Sequence, residues 1–229
     1  MAKYAVSDIH GNGAVWNNIK KFLKEDDTLY ILGDCADRGK EGWRIICEAI
    51  EMPNVVYLMG NHEQMLYDAL NEFRTTHGES RIDREILFCN GGRPTFHDAM
   101  RHFNHSMVNK IGLLPYWKTY TNKNGKNIIL THAGFTPKVK DEYPEKEILI
   151  WSRLHFTNRW REGFEDTIIV HGHTPCEYLI DDISMDRWVG RSALWYCENH
   201  KVCIDMLTCV NNYALLLDLD TFEEFIIEA

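Results

Sequence analysis

The sequence has no apolar run close to the roughly 20 residues that span a bilayer. Its first residues also lack the apolar stretch and the cleavage site of a secretory signal peptide. The seven cysteines are odd in number and form no C-x-x-C pair, which predicts free thiols in a reducing compartment. We therefore expect a soluble, cytoplasmic protein that binds no membrane.

Positively charged residues are also few, because the sequence has 25 Lys and Arg against 34 Asp and Glu. The formal net charge is therefore −9. This excludes a uniformly basic nucleic-acid surface, although a local basic pocket remains compatible with it. Hydrophobic residues make up 45% of the 229 positions, enough for a large core. Without repeats or linkers, the chain is predicted to form one domain over 1–229, with a polar helical lobe inserted around 76–110. Nothing in the sequence indicates an oligomeric state.

Strand-like and helix-like segments alternate in the first third of the chain. Short apolar strands are predicted at 3–7, 28–32 and 55–59, and apolar residues at helical spacing follow each of them. This alternation is typical of βαβ units and a parallel sheet. The second half predicts a hairpin whose turn is 122–125, then further strands at 167–170, 202–205 and 213–219. The pattern favours a mixed α/β domain, with two packed sheets as one arrangement.

Polar motifs stand at the ends of five predicted strands. They are Asp8-Ile9-His10-Gly11, Gly33-Asp34-Cys35-Ala36-Asp37-Arg38-Gly39, Gly60-Asn61-His62-Glu63, Thr131-His132-Ala133-Gly134 and His171-Gly172-His173-Thr174-Pro175. Each motif alone is weak, since an Asp-x-His is more often a turn aspartate beside a surface histidine. Together they should meet at one sheet edge, where ligands bind in open α/β sheets. Buried charges need partners, and mixed oxygen and nitrogen ligands suit manganese, iron, zinc or cobalt.

In this order and spacing, the motifs resemble the phosphoprotein phosphatase branch of the calcineurin-like metallophosphoesterases. Gly60-Asn61-His62-Glu63-Gln64-Met65 is particularly similar to bacterial and phage Ser/Thr phosphatases. The resemblance implies an α/β fold in which two mixed β-sheets are sandwiched between helices. It also implies two divalent metal ions, with manganese preferred and iron, zinc or cobalt as alternatives.

The resemblance further implies a role for each matching residue. The expected ligands of the first metal are Asp8 and His10, the bridging ligand is Asp34, and the ligands of the second metal are Asn61, His132 and His173. A hydroxide between the metals would attack phosphorus. The leaving group would take a proton from His62, which Asp37 orients. The expected substrate-binding residues are Arg38, Arg153 and Asn61.

Three functions compete on these residues. The first is removal of phosphate from Ser or Thr side chains of a phosphorylated protein, or from a small phosphoester. Its rival is symmetrical hydrolysis of dinucleoside polyphosphates such as diadenosine tetraphosphate, although Asp37, Lys40 and Glu63 favour the protein phosphatase. The third is a non-catalytic scaffold, which retention of His62 and Arg38 argues against.

Several residues are open to two interpretations. The G-H-T frame selects His173 as the ligand and leaves His171 as a core or supporting residue. Cys35 is expected to be a small buried residue, with an oxidisable thiol as the alternative. Trp151 and Trp160 flank Arg153 in the sequence and are candidates for the border of the substrate cleft.

Overall fold

The computed structural model describes residues 1–135, 146–153, 166–183 and 190–229. The strands in these residues are β1 (Lys3–Val6), β2 (Thr28–Ile31), β3 (Val55–Tyr57), β4 (Trp117–Thr121), β5 (Asn127–Thr131), β6 (Thr167–His171), β7 (Leu194–Tyr196), β8 (Lys201–Cys203), β9 (Tyr213–Asp218) and β10 (Glu224–Glu228). The helices are α1 (Gly13–Phe22), α2 (Gly42–Glu51), α3 (Asn61–Thr76), α4 (Ile82–Cys89), α5 (Arg93–Arg101), α6 (His105–Gly112), α7 (Lys146–Trp151), α8 (Cys176–Ile183) and α9 (Thr208–Asn211).

The strands form two mixed sheets. The first has the order β10-β9-β1-β2-β3 and the second the order β4-β5-β6-β8-β7. Strands β1, β2 and β3 are parallel, with Ala5 opposite Tyr30, whereas β9 and β10 are antiparallel. In the second sheet β5, β6 and β8 are parallel. The α/β prediction and the two mixed sheets are therefore confirmed.

Two strands of the structure have no counterpart in the sequence-based prediction. β7 has three residues, and β10 is an edge strand with only one buried residue, Ile227. Neither segment therefore shows a clear apolar period that would mark it as a strand. The predicted hairpin at 122–125 is confirmed, because β4 and β5 pair in antiparallel fashion on either side of that turn.

Apolar side chains pack in three layers around the sheets. Between the sheets lie residues from both of them, including Leu32, Leu58, Leu130 and Val170. The outer face of the first sheet packs on the helices through residues such as Ile31, Trp16, Ile46 and Leu66. The outer face of the second sheet packs on α7 through Ile129, Ile169 and Leu149. Helices thus flank both sheets.

The segment predicted as a lobe contains three helices. α4 and α6 pack against α3, and α5 packs against α2. Buried Leu87, Phe96 and Ile111 join the core on the helical side of the first sheet. This packing brings α5 close to the loop that follows β2. The assignment of residues 1–229 to one domain stays a prediction.

All seven cysteines lie in the described ranges, and all are free thiols. Within the same ranges, no helix is both long and apolar enough to cross a membrane.

Candidate active site

The loops at the carboxyl ends of β1, β2, β3, β5 and β6 meet at one edge of the two sheets. Their polar residues adopt an unusual backbone conformation, since positive φ angles occur at Asp8, His10, Asp34, Asp37, Arg38 and His173. This left-handed region is disfavoured for residues other than glycine, and such residues cluster at active sites. The fold therefore holds strained loops here that turn their side chains towards a common point.

The first group of side chains surrounds one face of Asp34. The Nε2 atom of His10 lies 3.7 Å from Asp34 Oδ2 and 3.7 Å from Asp8 Oδ1. The other ring nitrogen, Nδ1, lies 2.8 Å from the carbonyl oxygen of Ala36. That hydrogen bond fixes the ring and leaves Nε2 facing the two carboxylates. His62 Nε2 is 3.9 Å from the same Asp34 oxygen.

The second group also includes Asp34. His132 Nε2 is 3.4 Å from Asp34 Oδ2 and 2.9 Å from Asn61 Oδ1. His173 Nδ1 lies 3.1 Å from that amide oxygen. The Nδ1 atom of His132 is 2.7 Å from the carbonyl oxygen of Leu32, so this ring is fixed in the same way as His10.

The structure therefore brings together all six residues expected to bind metal. In the described part of the chain, two groups of three could hold an ion, namely His10, Asp34 and His62, and Asp34, His132 and His173. Asp34 belongs to both groups, and Asp8 contributes a further carboxylate beside His10. Buried imidazole, carboxylate and amide donors fit borderline divalent cations such as manganese, iron, zinc or cobalt.

The electrostatics of the cluster also favour bound positive charge. Burial lowers the pKa of His10 to about 3, and burial together with the charge of His132 lowers that of His173 to about 3. At His132 the carboxylates of Asp34 and Asp8 outweigh burial and raise the pKa to about 10. The buried carboxylates of Asp8 and Asp34 therefore stabilise a positive charge that lies close to them.

A histidine–carboxylate pair lies beside the first group. His62 Nδ1 is 2.7 Å from Asp37 Oδ2, so Nε2 faces the site, 3.4 Å from Arg38 Nη2. Burial lowers the pKa of His62, but the charges of Asp34 and Asp37 outweigh it and the net shift is upward. The arrangement suits a protonated imidazole that is oriented by a carboxylate.

Two arginines border the cluster and are exposed to solvent. Partial burial lowers the pKa of Arg38, but the carboxylates of Asp34 and Asp8 outweigh this effect and the net shift is upward. Arg153 follows α7, and its charge contributes to the lowered pKa of His173. Both expected phosphate-binding arginines therefore lie near the buried ligand groups.

Glu63 has a structural role that sequence reasoning missed. It is fully buried, and its Oε2 accepts hydrogen bonds from the backbone N–H groups of Asp34 (2.6 Å) and Gly60 (3.2 Å). Its Oε1 accepts from Ala36 N–H (3.0 Å) and from the Tyr57 hydroxyl (2.9 Å). Burial raises the pKa of Glu63 to about 7. The glutamate of the third motif thus holds the loop that carries Asp34.

A sixth strand end also reaches the site. β8 is parallel to β6, and Asp205, two residues after the end of β8, is buried. Burial and the charge of Asp8 raise the pKa of Asp205 well above its usual range. After it, α9 carries Cys209, which contributes to the raised pKa of Arg38. The strand was predicted, but its end was not counted with the other five.

Four further residues have two possible interpretations in the sequence, and the structure describes three of them. His171 is fully buried with Nε2 2.6 Å from the Tyr196 hydroxyl, as expected for a core residue. Cys35 is buried and burial raises the pKa of its thiol well above the usual range, which disfavours the reactive thiolate. Trp151 is 42% exposed, with its ring centroid 6.1 Å from that of His173. Trp160 lies outside the described residues.

Comparison with known proteins identifies the family. Residues 3–188 match the family model for calcineurin-like phosphoesterases. The chain belongs to this family. The family match agrees with the two mixed sheets and with the metal-binding character of the cluster.

Two curated relatives are hydrolases of dinucleoside tetraphosphates. The chain is 23% identical over 213 residues to the symmetrical bis(5'-nucleosyl)-tetraphosphatase of Delftia acidovorans, covering 91% of this phosphoesterase and 66% of that protein. It is 28% identical over 203 residues to the asymmetrical bis(5'-nucleosyl)-tetraphosphatase PrpE of Bacillus velezensis, covering 76% of this chain and 78% of that protein. The chain thus spans just under two thirds of the length of the Delftia enzyme.

Solved structures share the fold across nearly the whole chain. A candidate diadenosine tetraphosphatase aligns with a TM-score of 0.66 at 14% identity, covering 99% of this chain and 93% of that one. A protein serine/threonine phosphatase from Saccharomyces cerevisiae aligns with a TM-score of 0.58 at 14% identity, covering 100% of this chain and 80% of that one. The fold is therefore common to both substrate classes and does not separate them.

The bonds of Glu63 make a prediction about stability. Replacing Glu63 with Gln places a side-chain NH2 group next to N–H and O–H groups that need an acceptor. At pH 8 we therefore expect the free energy of unfolding to fall by about 2–4 kcal/mol. Tyr57→Phe removes one of the four bonds and should cost about 1 kcal/mol. Urea denaturation in the presence of EDTA measures both variants. A Tyr57→Phe loss as large as that of Glu63→Gln would contradict this role.

Proposed function

We propose that this phosphoesterase is a metal-dependent hydrolase of dinucleoside tetraphosphates. The observation that carries the proposal is that both curated relatives act on this class, while the chain retains the complete set of ligand, acid and arginine residues. The symmetrical cleavage, which would release two nucleoside diphosphates, is the form we propose. The free thiols and the absence of a spanning helix in the described residues are compatible with a cytoplasmic enzyme.

The proposed metal site has two ions, with manganese as the first candidate. Asp8 and His10 would hold one ion, Asn61, His132 and His173 the other, and Asp34 both. When bound, such a pair of cations supplies a nucleophile at neutral pH and polarises the phosphoryl oxygens. Every one of these six side chains is already oriented by the fold, which favours tight binding.

The remaining roles belong to the side chains around this centre. The guanidinium groups of Arg38 and Arg153 would bind the phosphate oxygens, because Arg offers paired donors that match phosphate. Asn61 would contact the substrate as well as the metal. His62 Nε2 would donate its proton to the leaving oxygen, while Asp37 holds the ring through Nδ1.

An exposed tryptophan beside the site favours a substrate with a nucleobase. Trp151 ends α7, two residues before Arg153, and lies edge-on to His173 at an interplanar angle of 84°. Its 42% exposure leaves indole surface available for a planar ring. Stacking of a base on an aromatic side chain contributes about 1–3 kcal/mol. We propose that Trp151 contacts one base of the dinucleotide.

A Ser/Thr protein phosphatase is the second candidate. It is favoured by Asp37 in the second motif and by Glu63 in the third, both of which match that branch. Its substrate would be a phosphorylated protein, and the same metal, acid and arginine residues would serve it.

The substrate proposal is tested with purified protein loaded with manganese. We expect kcat/KM for diadenosine tetraphosphate to exceed that for a phosphoserine peptide by about 100-fold or more, with ADP as the product. EDTA-treated protein is the control for metal dependence. ATP and AMP as products would move the cleavage to the asymmetrical position. A preference for the phosphopeptide would favour the second candidate, and inertness on both with metal bound would favour a scaffold.

The role of His62 is tested by His62→Asn. With phenyl phosphate, whose leaving group needs a proton, we expect turnover to fall by ~10²–10⁴ while the metal content stays near that of the wild type. With p-nitrophenyl phosphate, which has the better leaving group, the loss should be smaller. Metal analysis and steady-state kinetics give both quantities, and unchanged turnover of phenyl phosphate would remove His62 from this role.

The role of Trp151 is tested by Trp151→Ala. Loss of base stacking should raise KM for diadenosine tetraphosphate about 10-fold and leave kcat nearly unchanged. Trp151→Phe, which keeps an aromatic face, should stay within about 3-fold of the wild type. The matched substrate is inorganic tripolyphosphate, which has no ring to stack on the indole, and for which both variants should behave as wild type. Equal effects on the two substrates would contradict a nucleobase contact.

A further inference from the structure

Residues 91–95, at the start of α5, touch the catalytic loop directly. The Thr95 side chain is fully buried, and its Oγ1 accepts a 2.9 Å hydrogen bond from the backbone N–H of Asp37. One residue further on, the N–H of Arg38 donates to the carbonyl oxygen of Gly91 at 3.2 Å. Two consecutive residues of the loop are therefore bonded to the segment that was predicted as an inserted lobe.

Both of these residues have a strained backbone. Asp37 has a φ of 67° and Arg38 a φ of 60°, in the left-handed region that disfavours side chains larger than glycine. Such conformations persist only where surrounding contacts hold them. In the described residues, Asp37 Oδ1 has no hydrogen-bond partner, so the carboxylate is held through Oδ2 by His62. The bond from the Asp37 N–H to Thr95 is a second restraint on this residue, and it comes from a different helix than that of His62.

We infer that Thr95 is a positioning residue, which fixes the Asp37–Arg38 turn so that the acid pair and the phosphate-binding arginine keep their relative orientation. No sequence motif discussed above includes Thr95, and it reaches the site only through the packing of α5. The inference rests on the proposed function for the roles of His62 and Arg38. The restraint on the turn does not rest on the proposed function, because it is argued from the backbone bonds of Asp37 and Arg38 to Thr95 and Gly91.

The effect on chemistry should depend on the leaving group. A carboxylate that has shifted orients His62 less well, and this matters most when the departing oxygen must be protonated. For Thr95→Val we expect kcat to fall about 10-fold with phenyl phosphate and less than about 2-fold with p-nitrophenyl phosphate. The loss of about 10-fold is a part of the rate that general-acid catalysis contributes. Thr95→Ser, which keeps the acceptor oxygen, should restore kcat to within about 3-fold. In a His62→Asn background, Thr95→Val should add little.

A second measurement does not depend on activity. In metal-free protein, amide hydrogen exchange of residues 34–40 should be about 10-fold faster in Thr95→Val than in wild type, because a buried N–H loses its acceptor. Thr76→Val is the matched control. Thr76 Oγ1 also accepts a backbone N–H, from Ser80 at 3.3 Å, but it lies at the end of α3, outside the site. That control should leave both the exchange of 34–40 and the leaving-group dependence unchanged.

Each result decides the question. Equal losses on the two esters, or unchanged exchange of 34–40 in Thr95→Val, would overturn the positioning role. If Thr95→Val fails to fold, the wild-type amide of Asp37 still provides the test, since rapid exchange of that amide would overturn the inference. If the wild-type protein with metal bound hydrolyses neither diadenosine tetraphosphate nor the two phosphate esters, the proposed function fails, while the exchange comparison still shows whether Thr95 holds the turn.

Discussion

The burial of Asp8 and Asp34 next to each other is the constraint on which the site depends. Both carboxylates are 2% exposed, and two negative charges removed from water destabilise a fold unless positive charge or hydrogen bonds compensate them. Imidazole rings surround them, and Glu63 adds a third buried acid that binds backbone N–H groups. The arrangement is unfavourable as a purely structural core and becomes favourable once cations are bound.

The loops meet this constraint through unusual backbone geometry. The non-glycine residues with positive φ include most of the polar residues expected to act in catalysis. Three of the strained residues are held from outside their own loop: Asp34 by Glu63, Asp37 by Thr95, and Asp8 by the His173 N–H at 3.0 Å. The helices of 82–112 therefore contribute to the site, although they carry none of its motifs.

The fold does not decide the substrate. A candidate diadenosine tetraphosphatase and a protein phosphatase align with the chain at TM-scores of 0.66 and 0.58. At the rim of the site, the exposed side chains of Trp151 and Arg153 adjoin His173. Differences among substrates are therefore expected to depend on a few exposed side chains, whereas reaction chemistry depends on the buried ones.

The sequence by itself determined the strands β1, β2 and β3, the alternation with helices, and the motifs at the strand ends, since periodicity and residue type are local properties. Parallel strands place their carboxyl ends together, so the meeting of Asp8, Asp34 and Asn61 followed from the order of the chain. Only the tertiary structure decided the contacts of Glu63, Asp205 and Thr95. Two of the four partners of Glu63, Asp34 and Ala36, lie 29 and 27 residues away, and the partner of Thr95 lies 58 residues away. Asp205 follows a strand of the second sheet, whereas Asp8 follows a strand of the first. No local pattern encodes such distances, because they result from how two sheets and a helical segment pack.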